Sequence, residues 1–209
     1  MAKKRPVCGV GINDADYTVK WIETVIDEDG TRKIKHKSCK IYETWKDMIY
    51  RCFSKRYKDK HKTYNDVICC SSWLKFSNFK SWMEQQDWKG KELDKDILVE
   101  GNKIYSPSTC VFIDNSINKL ILENPHRNSP WLTGVTKYKN GRYTAYGRKY
   151  ENGKNKTLYL GTFDSEVEAH RCWLRYKINQ VENLKDVICN DQVYTALLSR
   201  YLARLAIVE

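Results

Sequence analysis

The sequence predicts an α+β fold in two parts: helices with short strands first, then a three-stranded antiparallel sheet packed on a helix, followed by a C-terminal helix. Three observations predict it. Apolar residues recur at helical spacing in residues 41–53 and 72–85, strand alternation fills residues 134–163, and a stretch rich in Pro and Asn lies between them. We therefore expect one domain at 1–122, a linker at 123–130 and a second domain at 131–209.

The N-terminal part begins with a predicted hairpin. Val19–Ile26 and Thr31–Lys37 read as short strands joined by an Asp-Gly-containing turn. Two amphipathic helices follow, Ile41–Phe53 and Ser72–Gln85, each with a stripe of apolar and aromatic side chains that we interpret as core. A basic run lies between them at residues 51–62, where six Lys or Arg stand against one acid. Such a run is either a solvated face or a phosphate-contact surface.

A compact block spans Leu93–Asn118. It reads as a short strand, a Gly101-Asn102 turn, a second strand at Thr109–Ile113 and a helix that begins near Asp114, a good N-cap residue. The block is therefore predicted to have the order strand, strand, helix.

The C-terminal part is predicted from strand alternation. Turn signals at Lys139–Gly141 and Glu151–Gly153 divide it into three strands. In the second strand, alternation sorts the residues into a small, apolar face and a basic, aromatic one, the latter comprising Arg142, Thr144, Tyr146 and Arg148. A helix is expected from about Ser165, and a last helix capped by Asp191.

Composition points to an anionic partner. The 209 residues carry a net charge of +11, and from Trp131 to Leu160 seven Lys or Arg stand against the single acid Glu151. Without a lipidation signal or a long apolar run, nucleic acid is favoured over a membrane. The N-terminus lacks a secretory segment, so we expect a cytoplasmic protein with eight free cysteines, and without a Cys-x-x-Cys pair structural zinc is not expected.

The segment from 131 to about 180 resembles the three-stranded DNA-binding domain of plant ethylene-response factors, which also occurs in phage integrases and homing endonucleases. The resemblance rests on Gly134-Val135, Gly141-Arg142-Tyr143, Ala145, Arg148 and Leu160-Gly161-Thr162-Phe163. In that family the sheet enters the major groove. The resemblance implies DNA contacts at Thr136, Tyr138, Arg142, Tyr146, Arg148 and Tyr159.

Residues 8–122 resemble phage and prophage proteins labelled HNH homing endonucleases, whose nuclease domain is the ββα-metal fold. The motifs are Trp45-x-x-Met48-x-x-Arg51-Cys52, Leu93-Asp94-Lys95-Asp96, Tyr105-Ser106-Pro107 and Asn118. The resemblance implies that Asp94 and Asn118 would hold Mg²⁺ or Mn²⁺. Lys95 stands where the family has its catalytic His, and Asp96 is a possible substitute ligand or base. A solvated Lys is protonated at neutral pH and cannot act as the base.

Three functions stay open at this point. The first is a phage-type DNA-binding protein whose nuclease centre is silent. The second is an active metal-dependent endonuclease. The third is a phage protein that binds an acidic host protein through its basic surface. Neither the target sequence nor the oligomeric state can be predicted from these residues.

Overall fold

A computed structural model describes residues 5–115, 117–118, 129–151 and 154–209. The fold is mixed α+β, and the chain divides into two compact units, Met1–Phe112 and Ile113–Glu209. Most of the linker predicted at 123–130 lies outside the described residues, so that boundary stays a prediction. Within the described part of the chain, none of the helices combines the length and the apolar character needed to cross a membrane.

Up to Ile113 the elements are short. They are β1 Lys20–Ile26, β2 Arg32–Ser38, α1 Lys40–Phe53, α2 Lys55–Lys60, β3 Ile68–Cys69, α3 Phe76–Met83, β4 Glu92–Asp94, β5 Ile104–Tyr105 and β6 Val111–Ile113. Strands β1 and β2 form the predicted hairpin. Strand β4 pairs with β6, and the backbone is helical at Asn115 and at 117–118. Strand β3 pairs with β5 in parallel, which was not predicted.

The core of the first unit is aromatic. Trp45 of α1 is fully buried, and its indole Nε1 donates a hydrogen bond of 2.7 Å to the backbone oxygen of Trp73.

The helix predicted at 41–53 is confirmed, but the one predicted at 72–85 is wrong at its start. Residues 71–74 form a 3₁₀ turn and Lys75 is extended, because Ile12 bonds to the backbone on both sides of it.

The second unit is a three-stranded sheet covered by one helix, on which the last helix packs. Its elements are β7 Val135–Lys137, β8 Tyr143–Glu151, β9 Lys154–Phe163, α4 Glu166–Glu182 and α5 Asp191–Val208. The three strands are antiparallel in the order β7-β8-β9, as predicted. A capping box between Ser165 and Glu168 starts α4. The cap of α5 is Asn190 rather than the predicted Asp191, since the Asn190 side chain accepts from the Val193 N–H.

Two glycines let the sheet approach α4 closely. A Cβ on Gly134, whose φ is +82°, would lie 2.2 Å from the Trp173 ring. A Cβ on Gly147 would lie 2.4 Å from the Tyr176 ring. Together with the fully buried Ala145, they identify the inner face of the sheet as the small-residue face that alternation predicted.

Candidate nucleic-acid interface

The face of the β7–β9 sheet that is turned away from α4 is the candidate interface, and we call it the outer face. All six residues predicted to contact DNA are solvent-exposed; they are Thr136, Tyr138, Arg142, Tyr146, Arg148 and Tyr159. Cross-strand pairing joins Thr136 to Thr144 and Tyr146 to Tyr159, and alternation adds the others. The structure therefore brings the predicted contact residues to one side of the sheet.

A β-bulge in β9 brings Tyr159 to this face. Ala145 pairs with Gly161, whereas the next residue, Tyr146, pairs with Tyr159, so Leu160 has no opposite residue. Strict alternation from Gly161 would turn Tyr159 toward α4. The extra residue reverses that orientation, as bulges do when they redirect a side chain. The Tyr146 and Tyr159 rings consequently lie edge to face with centroids 6.2 Å apart.

A chain of hydroxyl groups fixes the position of Tyr159. Its phenol oxygen lies 3.0 Å from Thr162 Oγ1, which lies 3.1 Å from Thr144 Oγ1. Thr144 is almost fully buried, although it belongs to the outer face. Tyr159 is nevertheless 60% exposed. Tyr159 is thus held in place while its ring remains available to a partner.

The two arginines of the outer face differ in their surroundings. Arg142 Nε donates to Asp164 Oδ1 at 2.8 Å, and its Nη2 donates to the backbone oxygen of Thr162 at 3.3 Å. Arg148 is exposed, and no carboxylate of the described residues pairs with it. Its backbone oxygen accepts hydrogen bonds of 2.9 Å from Tyr176 and Gln180 of α4. Among the described residues Arg148 is therefore a cation without a carboxylate partner, on a strand that two hydrogen bonds hold to α4.

Further positive charge lies along the β8–β9 hairpin. Lys149 is directly opposite Lys156, and Lys154 is also exposed. Lysines at these positions attract an anionic partner such as phosphate.

The second predicted site, at the end of β4, is a closed hydrogen-bond network. Asp94 Oδ1 accepts from the backbone N–H groups of Asp96 and Ile97, both at 2.7 Å. Burial raises the pKa of the Asp94 carboxyl. These bonds give Asp94 a structural role in the turn that follows β4, in which its side chain caps the backbone.

Lys95 is buried beside Asp94, with 6% of its surface exposed. Its Nζ donates to Asp96 Oδ1 at 2.6 Å and to the backbone oxygen of Asn102 at 3.1 Å. The ammonium also lies 5.7 and 5.8 Å from the ring centroids of Tyr64 and Tyr105. A buried ammonium already supplies the positive charge that a divalent cation would bring.

Asn102 has a role that was not predicted from the sequence, where it was expected in a turn. Its side-chain amide donates hydrogen bonds to the backbone oxygens of Lys95 and Ile104, at 2.8 and 2.7 Å. The local Gly101-Asn102 signal gave no indication of a partner seven residues away.

The second predicted metal ligand is Asn118. Asn118 lies on the helical segment after β6, where its N–H bonds to the backbone oxygen of Asp114. Among the described residues no group of three or more His, Cys, Asp or Glu side chains is positioned to hold a metal ion. With Asp94 capping a turn and Asp96 holding an ammonium, the donors here do not fit Mg²⁺ or Mn²⁺, which prefer several oxygen ligands without a competing cation.

Comparisons of this chain with protein-family models, with curated proteins and with solved structures found no match.

Proposed function

We propose that this protein binds double-stranded DNA through the outer face of the β7–β9 sheet, and that the centre around Asp94 does not cleave DNA. The proposal rests on one observation: Arg148 and the Tyr146–Tyr159 pair lie together on an exposed, cationic sheet face. The resemblance to the ethylene-response-factor domain supports the same reading, because that family uses this face.

The dimensions of the sheet favour the major groove. Three strands about 4.8 Å apart span about 10 Å, which matches a major groove of about 12 Å and exceeds a minor groove of about 6 Å. In such a complex Arg148 can donate two parallel hydrogen bonds to guanine, and the exposed tyrosines can contact bases or phosphates. Arg142 is already paired with Asp164, so its part is to position the start of β8 or to contact phosphate.

The Lys95 network supports the silent centre. A general base must accept a proton from water, whereas the Lys95 ammonium is held as a donor by Asp96 and Asn102. The protein would then be a DNA-binding relative of the HNH homing endonucleases that has lost cleavage. The active endonuclease and the binder of an acidic host protein are the competing proposals.

Fluorescence anisotropy with duplex DNA tests the sheet. Arg148→Ala should weaken the preferred duplex about 5- to 150-fold if Arg148 contacts a base through two bonds. Arg175→Ala is the matched control, because it removes the same charge from α4, where Arg175 pairs with Glu209. Equal affinities of the Arg148 and Arg175 variants would exclude the outer face.

Incubation of supercoiled plasmid with the protein and Mg²⁺ or Mn²⁺ tests the silent centre. We expect the plasmid to remain supercoiled. Metal-dependent nicking that disappears in Asp94→Asn would establish the endonuclease alternative. Failure of the wild type to bind any duplex at low salt would exclude both DNA-binding proposals and leave the binding of an acidic host protein as the remaining one.

A further inference from the structure

A cationic surface in the first unit is not used by the function proposed above. It consists of the outward side of α2 and the 3₁₀ turn after it, and we call it the α2 patch. Its exposed cations are Lys55, Arg56, Lys60 and Lys62. The one acid among them, Asp59, lies 3.6 Å from Lys62. The patch therefore keeps a formal charge of about +3 from its four cations and one carboxylate.

The inward side of the same segment is anchored. Tyr57 packs on His61 and Tyr64, with ring centroids 4.4 and 5.3 Å apart. Lys58 Nζ donates to the backbone oxygens of Asn65 and Val67 at 2.8 and 3.2 Å. The six-residue helix is thus fixed to its unit by one side, and the cations project from a surface that is already ordered.

The cations of the patch contrast with other lysines of the first unit. Lys33, Lys37 and Lys40 on the hairpin and at the start of α1 each lie within 4 Å of a carboxylate. Lys55, Arg56 and Lys60 have no carboxylate partner among the described residues. Clustered, uncompensated charges of one sign repel each other and attract a polyanion.

We infer that the α2 patch is a second DNA-contacting surface, which binds the phosphate backbone without reading sequence. The inference rests on the DNA binding proposed above and adds the first unit to it. Lys55 and Lys60 are about 7.5 Å apart along the helix axis, and over that length of DNA axis one strand carries about two phosphates, at a rise of about 3.4 Å each. Lysine side chains on a short convex helix suit phosphates better than base edges, which require planar bidentate donors.

The salt dependence of binding measures these contacts directly. Each phosphate neutralised contributes about 0.9 to the slope of log affinity against log salt. The full-length triple variant Lys55→Gln, Arg56→Gln, Lys60→Gln should lower the slope by about 2.7. Between 50 and 200 mM salt the wild type should then lose about 40-fold more affinity than the variant, equally on preferred and random duplexes.

The control variant is Lys33→Gln, Lys37→Gln, Lys40→Gln, which removes the same three charges from residues that already face carboxylates. It should keep the wild-type slope. A triple patch variant with the slope and affinity of this control would overturn the inference and leave the sheet proposal standing. Loss of binding only on the preferred duplex would also overturn it, because that is the behaviour of a base-reading residue. A wild type that binds no duplex would overturn both proposals.

Discussion

Replacement of Asp94 separates a structural from a metal-binding carboxylate. In Asp94→Ala the N–H groups of Asp96 and Ile97 lose the acceptor that they share at 2.7 Å, and Ile97 is 96% buried. A buried donor left without a partner costs about 1–3 kcal/mol, and the cost here is reduced because the carboxylate itself no longer has to be desolvated. We expect a loss of about 2 kcal/mol, or about 8 °C in the melting temperature of a unit of this size.

Asp94→Asn is the matched variant, since its amide oxygen accepts the same two bonds without the charge. Thermal unfolding followed by circular dichroism should place it within about 1 kcal/mol of the wild type. Because burial raises the pKa of Asp94, the folded protein holds that proton more tightly than the unfolded chain. The wild type should therefore lose stability relative to Asp94→Asn as the pH rises from about 4 through the native pKa of the carboxyl.

The same melts test the metal site. A cation at 100 times its dissociation constant would stabilise the folded protein by about 2.7 kcal/mol. With the Lys95 ammonium in place, we expect neither Mg²⁺ nor Mn²⁺ to shift the melting temperature. An Asp94→Ala protein as stable as the wild type, or a metal-induced shift that Asp94→Asn abolishes, would refute this account of the network.

Two further predictions concern packing. In a denaturant titration, Gly134→Ala should destabilise the second unit by about 3 kcal/mol, because the added methyl group overlaps Trp173 and the backbone has a positive φ. Gly141→Ala should cost about 1 kcal/mol in the same titration, because its φ is +79° but the space around it is open. In native protein at pH 8, mass spectrometry should find Cys189, which is exposed, alkylated before Cys110, whose pKa burial raises to about 12. Equal stability of the two glycine variants, or early alkylation of Cys110, would contradict the packing described.

Local pattern was enough to predict the elements that have a clear period. The helix at 41–53 and the three strands after Gly134 follow from apolar spacing and turn residues. The pairing of β3 with β5 could not be predicted in this way, because two-residue strands carry no alternation and the two strands are more than thirty residues apart in sequence. The 3₁₀ turn at 71–74 was likewise set by Ile12, a residue far away in sequence.

The candidate site divides in the same way. The exposure of Arg148 and Tyr146 could be predicted from alternation in β8. The place of Tyr159 on the same face was implied only by the resemblance, because the bulge at Leu160 leaves no local signal in the sequence. The burial of Lys95 was not predicted either. Lysine is rarely buried unless paired, and one of its partners here, the backbone oxygen of Asn102, is brought in by a turn.

The bulge also lets one strand, β9, present Tyr159 on the outer face while other residues of the strand pack on α4. Residues of β9 before and after Leu160 are sorted to opposite faces by one inserted residue, so Tyr159 can be exchanged without altering what packs on α4. Tyr159, Tyr146 and Arg148 form a set whose members can be randomised together on an unchanged scaffold. A library at these three positions would be a practical starting point for selecting proteins of this fold with new binding preferences.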